Sequence, residues 1–275
     1  CIRDSASSFD QIGPFTHNTE DAALLMEVIS GGDKYDSTSS DKAVPKYSQK
    51  LNNNKSYTIG YIKETLESSA LDAQVKSHIL EKIEQLKVSG HKVIAIDFPY
   101  LQYLVPTYYV LTTAEASSNL ARYDGVHFGY RCADAKGIPS TYASSRTKGF
   151  GEEVQRRIML GTFVLSAGYY DAYYTKAQKV RRLLLDKTHT IFEKCDFILS
   201  PTSPHTAFEI GKTYDDPTKL YLEDIFTVHA NIVGIPAVSL PTGMHSNGMP
   251  FGIQLMAPAF NDDELLTISN QIMNM

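Results

Sequence analysis

Tyr57–Phe98, YTIGYIKETLESSALDAQVKSHILEKIEQLKVSGHKVIAIDF, reads as strand, helix, strand. Tyr57 to Ile62 is a short β-prone run. Leu71 to Val88 carries Val75, Ile79, Ile83 and Leu86 at helical spacing, which places them on one face. Gly90 stops that helix, and His91 to Phe98 resumes with Val93, Ile94 and Ile96. A helix of this length between two strands is the crossover that joins parallel neighbours. The stretch therefore predicts a βαβ unit and an α/β fold.

Working outward, the same alternation continues. Downstream, Pro106 is expected to open a helix that ends near Gly125. Residues 126–149 have mixed polarity and read as irregular. Ile158 to Ala167 is apolar on every side, so it is expected to be a buried helix. A restart at Gly168 leads into a second helix, Tyr169 to Lys194, with a basic face. Asp196 to Ser200 reads as a buried strand stopped by Pro201, and Glu223 to Val233 as a helix. Pro236 to Leu240 and Phe251 to Met256 are strands joined by a turn at Asn247-Gly248, a strong hairpin signal. Asn261 caps the last helix. Upstream, Thr19 is the expected N-cap of a helix that Gly31-Gly32 ends, and residues 33–56 read as surface loop. The pattern implies one α/β domain over residues 1–275, with no linker.

Hydrophobic residues at 43% and charged residues at 21% describe an ordinary globular chain. A formal net charge of -5 argues against a surface built to coat nucleic acid. Cys1, Cys132 and Cys195 are scattered and odd in number, which fits a reducing compartment, cytoplasmic or organellar matrix. No apolar run is long enough to span a bilayer. The opening residues, CIRDSASS, have no initiating Met and no leader pattern, and the chain reads as though it begins mid-protein. G-x-S-x-G, P-loop and G-x-G-x-x-G patterns are absent.

Arg156 and Arg157 point about 100° apart on a helix. Arg157 falls with Val154, Ile158 and Gly161, so its guanidinium heads inward and needs an anion. That anion is either Glu153, four residues earlier, or the carboxylate of a ligand. Arg156 is expected to pair with Glu152. Asp224 is either a helix-dipole complement or an acceptor for an ammonium or amide donor. Tyr108-Tyr109 is either core packing or a source of a hydroxyl. His17, His78, His91, His189 and His245 read as solvated, His229 reads as a core histidine, and no metal-like spacing links the histidines.

At these residues a family resemblance emerges. Ser7–Gly31, SSFDQIGPFTHNTEDAALLMEVISG, resembles the segment that follows the catalytic signature in amidase signature enzymes. Glu115–Arg131, EASSNLARYDGVHFGYR, and Arg156–Tyr174, RRIMLGTFVLSAGYYDAYY, are similar to the A subunits of glutamyl-tRNA(Gln) amidotransferases. Ala230–Gly243, ANIVGIPAVSLPTG, and Pro250–Pro258, PFGIQLMAP, resemble the closing strands of the wider family. The resemblance implies an α/β fold, a mixed β-sheet sandwiched by helices, of which this chain is the C-terminal part, N-terminally truncated. It implies hydrolysis of glutamine through an acyl-enzyme, with ammonia passed on to amidate misacylated Glu-tRNA(Gln) or Asp-tRNA(Asn). The implied partners are subunits B and C and, through the complex, tRNA. ATP and Mg belong to one of those partners, and no cofactor is implied in this chain.

In that family a Tyr, an Arg and an Asp hold glutamine. The matching positions are Tyr108, Arg157 and Asp224, with Tyr109 and Arg156 as adjacent alternatives. Arg157 would fork onto the α-carboxylate, Asp224 would receive the α-ammonium, and Tyr108 would offer its hydroxyl. The family's nucleophilic Ser, bridging Ser and Lys precede SSFDQIGP. The resemblance therefore assigns no catalytic residue here, leaves Ser5, Ser7 and Ser8 out of that role, and implies that the chain alone is inactive. A stand-alone amidase of small amides and a non-catalytic scaffold are the alternatives.

Overall fold

In chain order the elements begin with α1 (Thr19–Ile29), β1 (Thr58–Ile62), α2 (Lys63–Glu67), α3 (Ala73–Val88), β2 (Lys92–Ile96) and α4 (Leu101–Asn119). They continue with α5 (Ile138–Gly149), α6 (Glu152–Val164), α7 (Lys176–Phe192), β3 (Phe197–Pro201) and α8 (Val228–Val233). β4 (Ala237–Met244), β5 (Pro250–Met256) and α9 (Asp262–Met273) complete the set. The computed structural model describes residues 5–211 and 223–275, so Cys1 lies outside the described residues. Among these, two compact units separate: residues 5–10 with Tyr103–Leu183, and Gln11–Gln102 with Leu184–Met275.

One unit is built on a five-stranded sheet of order β2-β1-β3-β5-β4. β1 runs parallel to β2, with Thr58 beside Lys92 and Ile62 beside Ile96, and parallel to β3 on its other side. α3 is the crossover that the sequence requires. β5 is antiparallel to β3 and to β4, so the sheet is mixed. Phe197, Ile198 and Leu199 are all exposed by 1% or less. Successive strand residues face opposite sides, so both faces of the sheet are covered. On one face Val75, Ile79 and Ile83 of α3 and Leu265 and Ile268 of α9 form a core with Ile59, Phe197 and Leu255. Asp72 starts α3 by accepting hydrogen bonds from the backbone of Gln74 and Val75 at 2.7 and 3.1 Å, which satisfies two otherwise orphaned donors. The β4–β5 turn closes at Gly248, whose φ of +81° suits glycine.

The other unit is helical: most of α4, all of α5 and α6, and the first part of α7. Several expectations are corrected here. α6 is not sealed: Met159 is 73% exposed, and Leu160 and Phe163 are exposed as well. Apolar composition shows only that a helix can be buried, and in α6 just Gly161 and Val164 are. Phe163 instead packs at the surface against Tyr169, with ring centroids 4.2 Å apart. Pro106 does not open α4 but sits inside it, where the missing N–H costs one bond of an early turn. Residues 138–149 are helix rather than irregular. Gly137, with φ +78°, turns the chain, and a proline follows in the first turn. The segment leading into α7 includes a π-helical turn, Asp171–Thr175.

In the sheet unit, the N-cap of α1 is Asn18, whose side chain accepts from Asp21 N at 2.7 Å, and Thr19 is buried just inside. α8 begins at Val228, later than expected. His91 is buried rather than solvated. Its Nδ1 accepts from Tyr57 N at 3.3 Å, and its ring stacks on Tyr57. His78 is part-buried, edge-on to Phe251. His229 is the core histidine expected, 2.8 Å from Thr188 Oγ1 and stacked on Phe98.

Candidate functional site

In the helical unit α4 and α6 approach closely around Gly161 and Thr113. A Cβ at Gly161 would overlap the backbone carbonyl of Thr113, so glycine is what allows the two backbones to touch. Thr162 Oγ1 and Ser117 Oγ, 2.9 Å apart, join the helices just beyond that point. One turn before it on each helix stand Arg157 and Tyr109. The Arg157 guanidinium lies over the Tyr109 ring, 5.5 Å from its centroid, a cation–π arrangement. Arg157 Nε donates to Glu153 Oε1 at 2.9 Å. The other Glu153 oxygen accepts from Arg156 Nη1, so Arg156 pairs with Glu153 and not with Glu152. Burial pushes the Arg157 pKa down, the Glu153 hydrogen bond and charge pull it up with help from Tyr109 and Tyr108, and the upward pull wins. The group is a firm cation.

The expected intrahelical partner is thus present, yet it occupies one donor of five. Among the described residues Glu153 is the only hydrogen-bond partner that Arg157 has. Its outer edge, Nη1 and Nη2, has the shape that binds a carboxylate in two parallel hydrogen bonds. Tyr108 is half-buried, with its ring edge-on to Tyr109 at 5.3 Å and to Phe9 at 5.6 Å. The structure therefore brings Arg157 and both tyrosines together, with Tyr109 beneath the guanidinium and Tyr108 against Phe9.

Sequence reasoning missed what holds Phe9. Ser8 N donates to Glu115 Oε2 at 3.1 Å, and Ser8 Oγ bonds the other Glu115 oxygen. Arg181 donates to Ser8 Oγ at 2.8 Å and to Ser8 O at 2.7 Å, and lies 4.0 Å from the Phe9 ring centroid. Glu115 stands at the head of EASSNLARYDGVHFGYR, one of the stretches that carry the family resemblance. Arg181 had no signal beyond a basic helix face.

Asp224 belongs to the sheet unit, in a turn just before α8 rather than at a helix start. Its backbone carbonyl accepts from Thr227 N and Val228 N, both at 3.1 Å. Buried Gln254 on β5 supports that turn, donating to Phe226 O at 2.9 Å and to Ser200 Oγ at 3.2 Å. Gln254 was also missed, although it lies in the PFGIQLMAP stretch. His205 pairs with Glu223 at 3.4 Å and His245 with Asp72 at 3.5 Å. Among the described residues no group of three His, Cys, Asp or Glu side chains could hold a metal. Nor is any helix there long and apolar enough to cross a membrane.

Comparison with known proteins adds a family. The Amidase family model matches residues 2–266. The chain is 47% identical to the A subunit of the glutamyl-tRNA(Gln) amidotransferase of Brevibacillus brevis, across 96% of this chain and 54% of that protein. It is 48% identical to the corresponding A subunit of Prochlorococcus marinus, across 96% and 54%. The solved glutamyl-tRNA(Gln) amidotransferase A subunit from Thermotoga maritima is 40% identical and superposes with a TM-score of 0.75, covering 96% of this chain and 52% of that one. The native peptide amidase of Stenotrophomonas maltophilia, at 21% identity and TM-score 0.72 over 98% and 54% of the two chains, shares the fold. The chain spans about half the length of the curated relatives it matches.

Proposed function

We propose that this chain, which belongs to the amidase family, is part of the glutamine-hydrolysing component of a tRNA-dependent amidotransferase. The observation that carries the reading is Arg157: a cation fixed along one edge by Glu153 and on one face by Tyr109, with its forked edge left for a carboxylate. Glutamine offers such a carboxylate, and holding it would set the distance of the side-chain amide from an attacking group. Tyr108, beside Tyr109, would lend its hydroxyl to the same ligand. Asp224, in the sheet unit, is the proposed acceptor for an α-ammonium. The attacking Ser, its Ser partner and the Lys are assigned to no residue of this chain. Residues 1–275 would be the C-terminal part of a single amidase signature domain.

In this reading ammonia leaves the acyl-enzyme step and amidates misacylated Glu-tRNA(Gln) or Asp-tRNA(Asn) on a partner chain. Subunits B and C would be the partners, with ATP and Mg bound there and no cofactor in this chain. The compartment would be cytoplasmic or an organellar matrix. The test is steady-state amidation by the natural gene product at its full encoded length, assembled with its partners. Arg157→Ala should lower kcat/KM for glutamine by about 2–4 kcal/mol in transition-state terms, the usual cost of losing one partner of a desolvated charge pair. Amidation driven by free ammonium should persist, and Arg156→Ala should have a small effect. Equal losses with glutamine and with ammonium would overturn the reading and make Arg157 structural.

A further inference from the structure

A guanidinium that binds a carboxylate must first be held, because an arginine side chain otherwise spreads over many rotamers. Two contacts hold Arg157. The Nε–H bond to Glu153 Oε1, 2.9 Å long, restrains rotation of the guanidinium within its own plane. The Tyr109 ring, its centroid 5.5 Å from the guanidinium carbon, backs the guanidinium on one side. Together they aim the Nη edge. The charges are also arranged for this. Glu153 is shared between Arg156 and Arg157, so the three side chains carry one net positive charge, which a single bound carboxylate neutralises.

We propose that Glu153 and Tyr109 are positioning residues for the glutamine carboxylate, acting through Arg157 and not by touching the substrate. This rests on the glutaminase reading above. Glu153 matters as a hydrogen-bond acceptor for Nε, and Tyr109 matters as a ring face.

The experiment separates acceptor from charge. Glu153 lies in the first turn of α6, so its charge also complements the helix dipole there. Glu153→Gln and Glu153→Ala both remove that charge, and only Glu153→Ala removes the acceptor. With the full-length protein in its complex, Glu153→Ala should raise KM for glutamine by about tenfold, the effect of no longer immobilising one long side chain. kcat at saturating glutamine and the ammonium-supported rate should stay close to wild type, and Glu153→Gln should restore KM. Tyr109→Leu should raise KM for glutamine, and Tyr109→Phe should not. The proposal is overturned if Glu153→Gln is as impaired as Glu153→Ala, if KM does not move in Glu153→Ala, or if the ammonium-supported rate falls in parallel. If Glu153→Ala does not yield folded protein, the Tyr109 pair decides the question alone. Arg157→Ala is run alongside. Unchanged glutamine use in that variant would remove the glutaminase reading itself, whereas impaired Arg157→Ala beside normal Glu153→Ala removes only the positioning roles.

Discussion

In the sheet unit Ile59, Ile79, Phe197 and Leu255 are sealed from solvent, whereas in the helical unit Met159, Leu160 and Phe163 stand in it. The first unit is held by apolar area taken out of water, spread over three helix faces and strands. The second also buries apolar side chains, Leu104, Leu111 and Leu120 among them, and adds a few close and specific contacts. These are Gly161 against Thr113, Arg146 donating to the carbonyls of Leu120 and Tyr123 at 2.8 and 3.2 Å, and the Glu115–Ser8–Arg181 network. Burial is non-directional and tolerates small errors in position, while hydrogen bonds and a backbone crossing do not. The arginine proposed to meet substrate sits on the second kind of frame, where geometry is set residue by residue.

The contrast can be broken most directly in the sheet core. Phe197→Ala should destabilise by about 3–5 kcal/mol, because a fully buried ring is lost and the sheet cannot close over the gap. Urea unfolding monitored by circular dichroism measures this, and a cost below about 1 kcal/mol would show that the core does not carry the unit.

The buried His229 tests the same unit through pH. Burial lowers its pKa to about 4, from an ordinary value near 6.5. In the unfolded chain it takes up a proton as pH falls below 6.5, while in the folded protein it stays neutral until about pH 4. Its contribution to stability is therefore complete above pH 6.5, shrinks by up to about 1.4 kcal/mol per pH unit below it, and is gone under pH 4. His229→Gln should flatten that part of the stability curve relative to wild type. Parallel curves for the two proteins between pH 6.5 and 4 would refute the assignment.

On the helical side, Gly161→Ala should cost about 1–3 kcal/mol, because the new methyl overlaps the Thr113 carbonyl and the helices must part. The same change should shift Arg157 away from Tyr109, so glutamine KM should rise with it. A variant as stable as wild type would mean that the crossing is looser than described. The smallest effect is expected at Met159. Met159→Gln should stay within about 0.5 kcal/mol of wild type, since the side chain already stands in solvent. A loss of about 2 kcal/mol or more, beyond the usual surface range, would mean that something covers α6 in solution.

The βαβ unit was legible because α3 and its flanking strands separate apolar from polar residues at clear periods. Val75, Ile79 and Ile83 recur at helix spacing and fall on one face, while Phe197-Ile198-Leu199 is short and is stopped by Pro201, which favours a strand covered on both sides. The Asn247-Gly248 turn was legible for a local reason, since glycine takes the positive φ that the turn needs. α5 was hidden because IPSTYASSRTKG has small and hydroxyl residues with little periodicity. α6 was misjudged because a run that is apolar all round carries no record of which side a neighbour will cover.

The candidate site divides in the same way. From sequence alone, Arg157 was known to need an anion and Glu153 to be in reach of it, because both follow from the geometry of neighbouring turns on one helix. The rest depended on contacts between residues far apart in the chain. That Tyr109 lies beneath the guanidinium, that Gly161 sets the crossing, and that Glu115 and Arg181 meet at Ser8 were decided only when α4, α6 and α7 packed. Local periodicity and charge spacing are written in neighbouring residues. The edge of the arginine that is left for a ligand is determined by what the rest of the fold already occupies.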